Sequence, residues 1–86
     1  MFYVYILKSR KTENLYIGIT GDLEKWIKEH NSGFTISTKP FIPWGLVYCE
    51  GYSYSQDAKD REEKLKQFGR VYSQLKRRIY RSIHLD

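Results

Sequence analysis

LYIGITGDLEKWIKEHN, residues Leu15–Asn31, changes its hydrophobic period partway along. From Leu15 to Ile19 apolar and small or polar-tipped residues alternate, which places Tyr16 and Gly18 on one face of a strand. Beyond Gly21 the period becomes helical. Thr20 or Asp22 supplies an N-cap oxygen, the helix continues through Asn31, and Gly33 is a stop. Leu23, Trp26, Ile27 and His30 fall on one stripe of that helix. A strand feeding directly into a helix sets the class of fold for the rest of the chain.

Upstream, Phe2 to Leu7 is apolar or aromatic throughout and rich in β-formers, as expected of a strand buried on both faces. Alternation puts Tyr3 and Tyr5 on one side and Val4 and Ile6 on the other. The polar Ser9–Asn14 segment joins it to the second strand as a hairpin. Downstream, Gly33 to Trp44 reads as a long loop and Leu46 to Glu50 as a third strand. A second helix starts from Ser53, with Gln56 completing a capping box, or from Ser55, and runs to about Gly69. A third spans about 72–83, with Tyr72, Leu75, Ile79 and Ile83 as its apolar stripe. The order strand, strand, helix, strand, helix, helix suits a small antiparallel sheet covered by helices.

A chain of 86 residues supports one modest core, so one domain over 1–86 is expected. Its 41% hydrophobic and 16% aromatic content is that of a folding chain. Cys49 is the only cysteine, which excludes an intrachain disulfide and fits a reducing, cytoplasmic setting. The N-terminal apolar run is too short for a signal peptide, and no stretch is long enough to span a membrane. The net charge of +5 is unevenly placed. Residues 1–60 balance seven basic against seven acidic side chains, whereas 61–86 carry eight against three. Lys76, Arg77, Arg78 and Arg81 lie largely outside the apolar stripe of the last helix, which points to an acidic partner, nucleic acid first.

Three features exceed what packing requires. Tyr3, Tyr5 and Tyr16 occupy neighbouring strands, so two or three phenolic hydroxyls can meet on one face. Glu62 shares a stripe with Ala58, Leu65 and Phe68, so its carboxylate needs a cation, several donors or a metal ion. His30 sits on an apolar stripe near a helix C-terminus, as a dipole partner or as a functional imidazole.

Taken in order, YVY (Tyr3–Tyr5), YIG (Tyr16–Gly18), DLEKWIKEHNSG and AKDREEKLKQFGR resemble the GIY-YIG nuclease domain, and more narrowly small stand-alone bacterial proteins related to the nuclease domain of the excision-repair machinery. The likeness runs from Phe2 to about Arg78. It implies an α+β fold, a three-stranded antiparallel sheet flanked by helices. It further implies DNA repair chemistry: phosphodiester hydrolysis on nucleic acid, DNA in the first instance, with one divalent cation, Mg²⁺ or Mn²⁺. By motif, Tyr5 and Tyr16 match the tyrosines beside the scissile phosphate, one helping to activate the nucleophile. Glu62 matches the metal-binding glutamate, His30 the family histidine, and Gly18 the glycine that permits close approach of backbone and substrate.

One position departs. In the pattern D-L-x-x-R-x-x-x-H this chain has Asp22, Leu23 and His30 in place, but Trp26 where the arginine belongs. Either cleavage is weakened or lost and a nucleic-acid-binding module remains, or a nearby cation, Lys25 or Lys28, takes the arginine's part. A basic helix that docks an acidic protein is a third alternative. Leu23 and Ile27 beside it suggest that the indole packs into the core.

Overall fold

A computed structural model describes residues 1–85. Three antiparallel strands, β1 (Phe2–Ser9), β2 (Leu15–Thr20) and β3 (Trp44–Tyr52), form one sheet in the order β2-β1-β3. The expected α+β class is what is found. β1 lies in the middle, which explains its unbroken apolar run: Val4, Tyr5, Ile6 and Leu7 are all buried. β3 extends beyond the expected Leu46–Glu50 at both ends. Its register against β1 shifts between Ile6 and Leu7, which pair with Tyr48 and Leu46 and leave Val47 as an extra residue.

The sheet carries a layer on each face. Val4, Ile6 and Ile17 pack against α2 (Ser55–Leu65), α3 (Arg70–Arg78) and α4 (Tyr80–His84) through Ala58, Leu65, Tyr72, Leu75, Ile79 and Ile83. On the other face Tyr5, Leu7 and Trp44 meet Leu23 and Ile27 of α1 (Leu23–Asn31), with Phe41 and Ile42 from the segment before β3. Asp22 caps α1 by accepting from Lys25 N–H at 3.1 Å. Gly33, at φ +79°, takes the left-handed turn that follows. The segment expected to be an irregular loop contains a short 3₁₀ turn at Lys39–Phe41, with Pro40 inside it.

Three expectations about the helices are corrected. The residue that caps α2 is Tyr54, and no side chain caps it, so neither Ser53 with Gln56 nor Ser55 acts as expected. α2 ends at Leu65, four residues early. Phe68 takes φ +55° in the following turn and is 63% exposed, so it leaves the stripe it was expected to share with Glu62. The helix expected over 72–83 is two, α3 and α4, broken at Ile79. The stripe survives the break because the N–H of Ile79 still bonds Leu75 O and that of Ile83 bonds Ile79 O. Lys8 Nζ then donates to Ile83 O at 2.6 Å, tying the C-terminal turn to the central strand.

Candidate functional site

Tyr5 stands on the α1 face of β1 opposite Gly18 of β2, which is an edge strand. A Cβ on Gly18 would stand 2.3 Å from the Tyr5 hydroxyl oxygen, so the missing side chain is the space in which the phenol lies. The close approach expected at this glycine is thus made by the protein's own tyrosine. It carries the hydroxyl across β2 toward the sheet margin.

There it meets His30, which is fully buried. The Tyr5 hydroxyl and His30 Nε2 are 3.3 Å apart, and His30 Nδ1 is 3.0 Å from Thr38 Oγ1. Thr38 directs its own hydroxyl proton to Thr35 O, so it accepts from Nδ1–H. That fixes the tautomer: Nε2 is unprotonated and accepts from Tyr5. Burial lowers the His30 pKa below its ordinary 6.5 against the opposing pull of Glu29, so the ring is neutral at pH 7. Burial raises the Tyr5 pKa well above its ordinary 10, and electrostatic repulsion from Tyr16 and Glu62 adds to the rise.

Tyr16 completes the cluster. Its ring lies 4.7 Å from that of His30 and 6.3 Å from that of Tyr5, in tilted or edge-on packing, and 6.2 Å from Trp44. The third tyrosine does not join. The Tyr3 ring edge lies over Gly51 of β3, on the far side of β1 from Tyr16. Trp44 Nε1 donates to Thr38 O at 2.9 Å, and the Asn31 side chain pairs with the Trp44 backbone through both its amide groups. The partner of His30 is therefore held by β3 and by the end of α1. Thr38 sits in a polar loop whose pattern gave no signal of this role.

Glu62 comes from the opposite layer. α2 packs on the Val4 face, and the Glu62 carboxylate has a small electrostatic effect on Tyr5, the least of the three influences that raise its pKa. Its side chain is 20% exposed and pairs with Lys66 at 3.4 Å. Among the described residues no group of three or more His, Cys, Asp or Glu converges. A single carboxylate, already paired with Lys66, is too small a donor set for zinc and would suit only a hard cation that keeps most of its water.

One set of residues escaped the sequence. Glu50 faces α2 and accepts from the hydroxyls of Tyr48 and Tyr52 and from Arg61, whose Nε and Nη2 both lie 2.9 Å from carboxylate oxygens. Burial alone would raise the Glu50 pKa. The bonds from Arg61, Tyr48 and Tyr52 outweigh it and hold the carboxyl below its ordinary 4.5, while both phenols are pushed up to about 12 by burial and by Glu50. This clamp fixes α2 to β3 at the residue next to Glu62. The alternation Tyr48, Glu50, Tyr52 is its signal, missed because the strand was expected to stop at Glu50.

The basic candidates divide. Lys25 and Lys28 are exposed on α1 in a shallow cleft with Asp22, Glu24 and Glu29, and Lys28 pairs with Glu24 at 3.5 Å. Neither tyrosine nor His30 lines that cleft. Lys76, Arg77, Arg78 and Arg81 are exposed on the layer behind the sheet, and three of them border a cleft of about 540 Å³ at the α3–α4 break. Trp26 is not core: it is 38% exposed, with its ring 6.0 Å from that of His30. No helix among the described residues is long and apolar enough to cross a membrane.

A family model described as the GIY-YIG catalytic domain matches residues 1–76. Over 71 residues the chain is 45% identical to a UPF0213 protein of Clostridium perfringens, a match covering 81% of this chain and 75% of that protein. A UPF0213 protein of Staphylococcus haemolyticus is 39% identical over 72 residues, covering 79% and 83% respectively. One of Haloquadratum walsbyi is 36% identical over 73 residues, covering 84% and 81%. No solved structure gives a significant match.

Proposed function

This chain belongs to the GIY-YIG catalytic domain family, and on that premise we propose that residues 1–86 act as one cytoplasmic endonuclease unit that hydrolyses phosphodiesters in DNA with a divalent cation. The observation that carries the reading is the hydrogen-bonded row Tyr5, His30, Thr38 at the sheet margin. In it, His30 is the final proton acceptor. As Tyr5 takes a proton from the attacking water, its own passes to Nε2, and Thr38 holds the resulting imidazolium through Nδ1–H. The half-buried Tyr16 is the more accessible phenol, and it orients water or a phosphate oxygen.

Glu62 would hold the cation, Mg²⁺ or Mn²⁺, which when bound supplies charge stabilisation for the phosphoryl oxygens. Lys66 must then release the carboxylate oxygen that it pairs with. Lys76, Arg77, Arg78 and Arg81 bind backbone phosphates away from the reacting centre, and Lys25 and Lys28 do so on the α1 side.

A second reading is favoured by two of the same observations: an indole stands in the arginine's place, and Glu62 is already paired with Lys66. The protein is then a binding module of the same fold with little or no cleavage. The test is metal-dependent nicking of plasmid DNA by highly purified protein. The enzyme reading expects turnover that falls by about 10²–10⁴ in Tyr5→Phe and in His30→Gln, with no further fall in the double variant because the two act as one relay. Nicking that both variants retain would overturn the relay, and no metal-dependent nicking by wild type would leave the binding module standing.

A further inference from the structure

The exposure of Trp26 has no explanation in packing. Leu23 and Ile27 turn inward to Tyr5, Leu7 and Trp44, whereas Trp26, the largest side chain of the stripe, is left 38% exposed. A singly exposed apolar residue needs no special account, but this ring ends a row of aromatics. From the buried Trp44 the row passes to Tyr16 at 6.2 Å, to His30 at 4.7 Å and to Trp26 at 6.0 Å. The inner members are locked by packing and by the hydrogen bonds of Thr38, so the outermost ring is a flat π-face on a rigid base at the rim of the candidate site. Lys25 and Lys28 flank it on the same helix, exposed to solvent.

We propose that Trp26 is a stacking platform for an unpaired base, so that the site takes a strand whose nucleotide beside the reacting phosphate is splayed out of any duplex. The inference rests on the nucleic-acid reading above and names its substrate class. Within a duplex each base is covered on both faces by its neighbours, and a side chain in a site that faces the backbone cannot reach them. An unpaired base offers a face to any aromatic ring whatever its sequence, and the +5 charge of the chain brings the strand to the surface without specifying it. An arginine at this position would grip a phosphate. An indole grips the neighbouring base.

The test is binding in EDTA, which separates it from cleavage, of a short oligothymidylate and of a blunt hairpin duplex of equal length. The oligothymidylate should quench emission from wild-type protein, and Trp26→Phe, whose remaining indole Trp44 is 5% exposed, should show no such quench. Trp26→Leu, which still covers His30 but offers no π-face, should bind the single strand about 5- to 150-fold more weakly, with Trp26→Phe close to wild type. Equal quenching by the duplex overturns the proposal, as does unweakened binding by a Trp26→Leu protein whose thermal unfolding matches wild type. If that same variant also cleaves as wild type does, stacking is wrong and the nuclease reading stands. If wild type binds neither nucleic acid, both fall.

Discussion

On the α1 side of the sheet one imidazole, one threonine and two phenols, all buried except the half-buried Tyr16, are arranged around a glycine. On the other side apolar residues fill the interior, and charge lies outside it on α3 and α4, with the Glu50–Arg61 clamp between α2 and β3. In the proposed function the first layer handles the proton, and the second presents charge at its surface. Glu62 belongs to the second by its helix and to the first by its electrostatic effect on Tyr5. The proton chemistry of that proposal lies in the first layer and the larger basic surface in the second, so the α3–α4 cations can be changed while the first layer serves as the control.

The largest effect is expected at Glu62. Glu62→Gln keeps the shape and removes the charge that would hold a divalent cation. Cleavage should fall by about 10³ or more, since such an ion contributes several kcal/mol and each 1.36 kcal/mol is tenfold. Binding through the basic layer should be unchanged. Titration of wild type with Mg²⁺ or Mn²⁺ should move the amide resonances of Ala58, Glu62 and Tyr16, and the variant should not respond. Identical responses would make Glu62 an ordinary partner of Lys66.

Next is Trp26→Arg. A guanidinium meets the charge that builds on the phosphoryl oxygens, which an indole cannot, and restoring such a donor should raise duplex cleavage by about 10². Because the ring is partly exposed and outside the core, the stability lost should be about 1 kcal/mol, less than a core tryptophan would cost. The same substitution should reduce preference for a single strand. A folded variant with no gain in cleavage means that this layer lacks another of its parts.

The basic layer has its own measure. If Lys76, Arg77, Arg78 and Arg81 meet about four phosphates, log affinity against log salt should have a slope of about −3.6, a loss of about 10²-fold between 50 and 200 mM. Alanine at all four positions should flatten the slope and weaken every sequence alike. Salt-independent binding would break the division of labour between the layers.

How far the sequence revealed these layers depended on the range of the interaction. β1, β2, α1 and the apolar stripe Tyr72, Leu75, Ile79 and Ile83 were legible because period and capping are local: Asp22 caps α1 as its position suggests. The end of α2 and the break at Ile79 were not, since Phe68 turns left-handed without a glycine and the Ile79 break interrupts an otherwise continuous stripe. At the site, motif brought Tyr5, Tyr16 and His30 to attention, and the fold does place them together. Thr38 and Glu50 depend on contacts between residues that only tertiary structure brings into register, and the direction in which Trp26 faces depends on how far α1 rolls against the sheet.

The clamp gives the next smaller effect. Glu50→Gln leaves Arg61 without its carboxylate. Breaking a fully buried pair costs about 3–5 kcal/mol, but the Arg61 side chain is 28% exposed, so about 2 kcal/mol is expected here. For a domain of this size that is a fall in Tm of about 10 °C. Arg61→Lys should lose only part of this, because an ammonium keeps the charge but not the bidentate fork. A variant as stable as wild type would remove the clamp as the anchor of α2.

Acid titration separates the two layers by the smallest effect. His30 has a folded pKa below its ordinary 6.5, so below pH 6.5 the unfolded chain takes up a proton that the folded one refuses, and stability falls with pH until the folded pKa is passed. Glu50 is a carboxyl held below its ordinary 4.5, so its contribution is intact above that value and fades only as the pH drops through the folded pKa. Stability followed by urea unfolding should therefore decline first from about pH 6.5, on account of the α1 layer, and again below about pH 4.5, on account of the clamp. His30→Gln should abolish the first decline and leave the second, and Glu50→Gln should do the reverse. If His30→Gln declines as wild type does above pH 4.5, the imidazole is not held neutral in the fold, and the lone pair offered to Tyr5 is lost with it.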